Sequence, residues 1–129
     1  MQRFGKMSAA AQRAAERRDR ENRAPRLLDL VPDLVSLRLE IEERSDATSV
    51  NQPKYIRRIV VATAPALFLV PCADSKCADG GHDLTTPVMQ ALQGHRSEFA
   101  GEHACGGSLG AGTCSRVLHY EAFAEFKEA

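Results

Sequence analysis

Four cysteines in two glycine-flanked pairs, Cys72-x4-Cys77 and Cys105-x8-Cys114, restrict the folds open to this chain more than any other feature. Thiolates on two short loops can converge on one tetrahedral metal ion, and zinc accepts four sulfurs in that geometry. A chain that closes such a site must bring together loops separated by 27 residues. Six of the nine glycines, Gly80, Gly81, Gly106, Gly107, Gly110 and Gly112, lie in or beside these loops. A backbone wrapping an ion needs glycine there, either for positive φ or to aim N–H groups at thiolates. His82 follows the first pair closely, so a Cys3His set, or a His82 that hydrogen-bonds to the ligands, is an alternative.

At 129 residues with 43% hydrophobic content, one domain with at most a tail is expected. Aromatics make up only 5%, there is no Trp, and much of the apolar count is alanine, so large buried side chains are few. A metal site adds its binding free energy to the folding of such a core, because the unfolded chain lacks the site. No run of 18 apolar residues occurs, and Met1 to Ala15 has no apolar stretch of the secretory kind, so a cytoplasmic protein without a membrane span is expected. In a reducing compartment clustered cysteines point to metal ahead of disulfides, with free buried thiols and redox pairing as the other readings.

The hydrophobic pattern predicts an α+β fold. Ser8 to Arg23 is built of Ala, Arg and Glu and reads as a helix capped by Ser8 and ended by Pro25, followed by the short apolar piece Leu27 to Val31. Glu16 with Arg20 and Asp19 with Arg23 are favourable i, i+4 pairs, but the helix has only alanines to bury. It is therefore expected to be exposed, frayed when free and ordered by a partner. From Leu34 to Glu43 the period changes to two, with Val35, Leu37, Leu39 and Ile41 on the inner face. Tyr55 to Ala62 and Ala66 to Pro71 read as two strands turned at Thr63-Ala64-Pro65, the second running into Cys72. Thr86 followed by Pro87 marks a helix start, with Val88, Ala91 and Leu92 on one face and an end near Gly94 to Ser97. Glu98 to Ala104 and Arg116 to Phe126 are the last strands, the latter with Leu118, Tyr120, Ala122, Ala124 and Phe126 facing inward.

A mostly antiparallel sheet with one packed helix, and cysteine pairs at strand ends, resembles the zinc-ribbon group of small domains over Ala66 to Phe126. In that group two loops at the tips of β-hairpins jointly hold one zinc. The resemblance implies Cys72, Cys77, Cys105 and Cys114 as ligands of one structural zinc per chain. The x4 and x8 spacings depart from the usual Cys-x2-Cys loops, and a helix falls between the pairs.

Other chemistries fit less well. A zinc deaminase needs a His-x-Glu segment before Pro-Cys-x2-Cys; Pro71-Cys72 is present, but no His precedes it and Cys77 is too distant. A hydrolytic zinc needs an open coordination position and a base at a fixed spacing, and Asp79 and Asp83 read more simply as turn and cap residues. The run Gly106 to Thr113 lacks Gly-Lys-Ser/Thr and precedes a strand, so it belongs to the metal loop and not to a phosphate loop. His103 is a lesser ligand candidate; His95 and His119 read as surface or packing residues.

The formal charge of zero conceals a division. Residues 1–26 carry eight Lys/Arg against three Asp/Glu, a surplus of five, and the remaining residues carry an equal deficit. A basic arm, residues 1–26, on a zinc-clasped domain, residues 27–129, is the expected organisation. Arg13, Arg17, Arg18, Arg20 and Arg23 suit backbone phosphates of RNA, DNA or a ribonucleoprotein; without interleaved aromatics, base stacking is not expected. A non-catalytic nucleic-acid-binding module is the leading expectation. The alternative is a protein-interaction adaptor using an acidic face of Glu40, Glu42, Glu43 and Asp46, or a strand edge that could pair in a homodimer. A small metal-dependent enzyme ranks third.

Overall fold

The computed structural model describes residues 9–44, 54–72, 77, 80–109, 112–114 and 116–128. Helix α1 spans Ala9–Arg23, with basic Arg20 and Arg23 in its last turn, where the helix dipole favours cations. Asp19 and Arg23 pair at 2.9 Å across one turn. Pro25 then breaks the helix, and the chain leaving it is pinned by an antiparallel bridge between Arg26 and Pro65. Two hydrogen bonds support that bridge, Leu27 N–H to Ala64 O at 2.9 Å and Ala66 N–H to Pro25 O at 2.8 Å. A single helical turn, α2 (Leu27–Leu30), buries Leu27 completely.

The main sheet is antiparallel throughout, built from β1 (Leu34–Arg44), β2 (Lys54–Ile59), β5 (Glu98–Ala104) and β8 (Val117–Phe126) in the order β2-β1-β8-β5. Between β2 and β5 the chain forms β3 (Leu69–Val70), β4 (His82–Asp83) and helix α3 (Thr85–Gln93). Between β5 and β8 it forms a minimal hairpin, β6 (Ser108–Leu109) with β7 (Gly112–Thr113). One contiguous core joins the inner sheet face (Leu37, Leu39, Ile41, Phe99, Leu118, Tyr120, Ala122, Ala124) to Val88, Met89, Ala91 and Leu92 of α3 and to Leu27, Phe68 and Leu84. The outer face is polar, and Arg38 stacks over Phe123 with its guanidinium 4.5 Å from the ring centre.

Several expected boundaries move, each for a local reason. A bulge between Leu34 and Ser36 turns Leu34 inward and leaves Val35 52% exposed, opposite to its expected facing. Beyond the bulge the period-two pattern holds, and it carries Glu43 onto the inner face, where it is 4% exposed. Glu43 therefore leaves the acidic surface patch; Asp46 lies outside the described residues. The turn after β2 begins at Val60, whose carbonyl accepts from Thr63 and Ala64 N–H. The two strands flanking that turn do not pair with each other. The segment Ala66 to Pro71 contributes only Leu69 and Val70, paired with β4, because Phe68 is held instead by Thr85 and Leu84.

Helix α3 starts one residue before Thr86, and its first N–H is capped from outside, Thr85 N–H donating to Asp83 Oδ1 at 3.0 Å. Its C-terminus closes with Arg96 N–H on Ala91 O and His95 N–H on Leu92 O, both 3.0 Å, so the left-handed position falls on His95 (φ 56°) and not on Gly94. His95 is held there by Asp33, whose Oδ2 lies 2.8 Å from His95 Nε2, and by the Phe126 ring. Among the described residues no helix is long and apolar enough to cross a membrane.

Candidate metal centre and the adjoining cleft

Two hairpin tips meet at the cysteines. Cys72 and Cys77 lie in the connection from β3 to β4, and Cys105 and Cys114 bracket the β6/β7 hairpin at the tip of the β5–β8 pair. Register is fixed at each side: Cys105 N–H bonds Arg116 O at 2.9 Å, and Cys114 N–H bonds Gly107 O at 2.7 Å. The four Sγ atoms all lie within 4.8 Å of one another and form a donor set for a metal ion. Cys77 to Cys105 measures 3.6 Å and Cys72 to Cys114 3.8 Å. A tetrahedron with metal–sulfur bonds of about 2.3 Å has edges of about 3.8 Å, whereas a disulfide holds its sulfurs about 2.05 Å apart. The spacing excludes disulfides and is compatible with four ligands around one ion.

Close packing of two backbones makes this corner possible. A Cβ on Gly80 would stand 2.1 Å from Cys105 Sγ and 2.5 Å from Cys77 Sγ, and one on Gly107 would stand 2.5 Å from Gly80 Cα. Both glycines are thus required by proximity to sulfur and to each other. Burial raises the Cys77 thiol above its ordinary value, reinforced by the Cys105 sulfur beside it. Burial pushes Cys105 the same way, but the hydrogen bonds at Gly107 and from Cys77 overcome it and bring that thiol down.

His82 stands outside the sulfur cluster with both ring nitrogens engaged. Its Nε2 lies 2.7 Å from Glu43 Oε1, and its Nδ1 lies 3.0 Å from His103 Nδ1, the two rings meeting edge to face. Strand register explains the assembly. Leu118 of β8 faces Glu43 of β1 on one side and His103 of β5 on the other, so all three share one row of the inner face. His82 of β4 sits over that row and joins the two polar ends. The Glu43 side chain is 6% exposed and that of His82 0%. Burial, followed by the neighbouring His82, lowers the His103 pKa below the usual histidine range.

Beside the histidines, a cleft of about 340 Å³ opens between α1 and the β3/β4 ribbon. Arg13, Glu16, Arg17 and Arg20 line it from the helix, and His82, Asp83 and His103 from the ribbon side. Arg20 reaches Asp83 at 3.3 Å. Burial works against the Asp83 carboxylate, but hydrogen bonds from Thr85 and the Arg20 guanidinium outweigh it and hold the pKa below the usual carboxylate value. Of the five arginines singled out from sequence, Arg13, Arg17 and Arg20 face this cleft. Arg18 is exposed, and Arg23 is occupied by Asp19. His119 pairs with Glu102 on the outer sheet face, as befits a surface residue.

The sequence reading did not anticipate the Glu43–His82–His103 chain. A signal was available for two members: Glu43 continues the inner parity of Leu39 and Ile41, and His103 that of Phe99. No protein-family model, curated protein or solved structure matches this chain.

Proposed function

We propose that the chain is a zinc-stabilised, non-catalytic module that binds nucleic acid through its basic helix. The observation that carries this reading is the position of α1, whose Arg13, Arg17 and Arg20 line a cleft beside the cysteine corner while the rest of the chain is acidic. Four thiolates at tetrahedral spacing suit zinc, which prefers sulfur and needs no redox partner, and four sulfurs leave no open position for a substrate. Zinc then serves as a clasp, with Cys72, Cys77, Cys105 and Cys114 as its ligands, in a cytoplasmic protein whose thiols stay reduced. Residues 27–129 form the clasped body and residues 1–26 the arm.

The guanidiniums neutralise backbone phosphates and release counterions, so affinity falls steeply with salt. The experiment is a salt titration of binding to a mixed-sequence oligonucleotide, for the zinc-loaded full chain and for a variant lacking residues 1–23. Binding that survives the truncation unchanged would refute the reading. A protein partner is the second reading, favoured by exposed Tyr55, Ile56 and Val60 along and just after β2, an edge strand of the sheet. A second copy of the chain pairing at that edge is the simplest such partner. Lys substitution at Tyr55 and Ile56 would abolish that association and leave nucleic-acid binding intact.

A further inference from the structure

Among the described residues both borders of the main sheet are open, since β2 pairs only with β1 and β5 only with β8. Alternation sorts the residues of each border onto two faces. On β2, Lys54, Ile56 and Arg58 lie opposite Glu42, Glu40 and Arg38 on the outer face, while Tyr55, Arg57 and Ile59 lie opposite Ile41, Leu39 and Leu37 on the inner one. On β5, Glu98, Ala100 and Glu102 share the outer face with Phe123, Glu121 and His119. The outer residues of both borders are exposed. One border thus reads cation, apolar, cation, and the other reads anion, apolar, anion at the same spacing.

Charges on a border strand ordinarily keep identical edges apart. Here they do so for each border against its own kind: two β2 strands overlapped in full and antiparallel set Lys54 against Arg58, and two β5 strands set Glu98 against Glu102. The same charges admit the opposite border. Arg58 adds a reason of its own, because Arg38 of β1 stands directly across from it, and a carboxylate on the open side of β2 would relieve two like charges that face each other. Topology sets the direction of the pairing. The outermost strands of a four-stranded antiparallel sheet run in opposite directions, so β2 of a second copy laid beside β5, with both inner faces on the same side, is antiparallel to it. One register then matches both charges, with Arg58 opposite Glu98, Ile56 opposite Ala100 and Lys54 opposite Glu102. In that register Tyr55, which is 45% exposed, comes opposite Gly101 and beside the Tyr120 ring that covers Gly101.

We propose, resting on the reading of β2 as a partner-binding edge, that the partner is a second copy of this chain and that it docks through β5, head to tail, extending the sheet. A pair joined in this way still has one open β2 and one open β5, so the contact is heterologous and assembly does not stop at two. β2 offers six residues, well below the roughly 20 to 30 a side of a standard interface, so the association is weak and sensitive to salt.

The test is analytical ultracentrifugation of the zinc-loaded full chain across the micromolar to millimolar range, at low and high salt. The average mass is expected to rise past the dimer with concentration and to fall with salt. Arg58→Glu and Glu98→Arg each set like charges against each other and should weaken association about tenfold. An equal mixture of the two variants, or both changes on one chain, should restore it. Arg18→Glu alters net charge as much as Arg58→Glu does but on exposed α1, and should have less than about a twofold effect. If Arg58→Glu loses its zinc or its fold, Lys54→Glu takes its place, with Glu102→Lys as the restoring change. A mass that levels off at the dimer, strengthened by Arg58→Glu and indifferent to Glu98→Arg, would overturn docking through β5 and leave a symmetric pairing of two β2 edges standing. Equal weakening by Arg18→Glu and Arg58→Glu would overturn the edge contact in favour of general charge repulsion. A chain that stays monomeric throughout would overturn this proposal and with it the second copy as the partner of β2.

Discussion

Gly80→Ala should dismantle the metal corner without touching a ligand. The added Cβ would lie 2.1 Å from Cys105 Sγ, when ordinary contact begins near 3.4 Å, so this sulfur or the Gly80 backbone must retreat by roughly 1.3 Å. The same Cβ would also stand 2.5 Å from Cys77 Sγ and 3.2 Å from Gly107 Cα, so moving one sulfur alone does not make room for it. Metal–ligand bonds tolerate displacements of about 0.2 Å, so a shift several times larger removes a sulfur from the ion. Mutating groups that merely orient a ligand already weakens metal binding about 10- to 100-fold, so displacing a ligand should cost at least about 100-fold in zinc affinity. At fixed excess metal that is a loss of about 2.7 kcal/mol in apparent stability, or roughly 10 °C in Tm for a domain of this size. Chelator competition reads the affinity, and thermal unfolding across a zinc titration reads the linkage, with Tm rising again as zinc is raised. Gly94→Ala is the control, because its Cβ meets nothing closer than 3.4 Å. A Gly80→Ala protein holding one zinc per chain with unaltered chelator resistance would show that the sulfurs do not converge as described.

Three further outcomes follow from the hydrogen bonds. Asp83→Asn should be less stable than the unmodified chain above about pH 4, because the lowered native pKa of Asp83 contributes stability when the carboxyl is ionised. The difference should shrink to nothing as pH falls through the native pKa, which paired urea midpoints at near-neutral and acidic pH will show; a constant difference refutes the ionic origin. His95→Val places a β-branched residue at φ 56° and removes the Asp33 pair, so a loss of about 2 kcal/mol in urea unfolding is expected. An unchanged midpoint would mean that Gly94 takes over the left-handed position. Glu43→Ala leaves the His82 N–H buried without an acceptor and should cost about 2 kcal/mol, with Glu43→Gln costing less because an acceptor oxygen remains. Equal losses for the two substitutions, measured by denaturant unfolding, would deny the hydrogen bond its role.

Periodicity made the sheet legible wherever one face was buried along a whole strand. β8 shows this most simply, with Leu118, Tyr120, Ala122 and Ala124 buried and the alternate residues facing out. β1 was legible except at Val35, because a bulge inserts one residue into the count and nothing in an apolar Leu-Val pair announces it. Glu43 was misplaced for the opposite reason: composition marked it as surface, parity marked it as core, and parity decides when a partner such as His82 is waiting. The cysteine corner was legible because its signal is residue type and loop length, both local. The Glu43–His82–His103 chain and the cleft were not, since they depend on β4 crossing over Leu118 and on α1 returning to the ribbon. Sequence spacing carries no record of contacts such as Arg20 with Asp83, which lie 63 residues apart.

The corner and the cleft are mechanically one structure. His82 follows Cys77 by five residues, and His103 precedes Cys105 by two, so the chains that deliver sulfur to one side deliver imidazole to the other. β3 and β4 contribute only two residues each to their pairing, which is too little to fix a hairpin in water without support. That support comes from Phe68 and Leu84 in the core below and from the sulfurs above. The sulfur corner holds the ribbon in place, so that the His82 ring nitrogens meet Glu43 at 2.7 Å and His103 at 3.0 Å at the wall of the cleft. Loosening the sulfurs therefore frees the ribbon first, and the geometry of the cleft should fail before the sheet, whose strands β1 and β8 are paired along nearly their whole length.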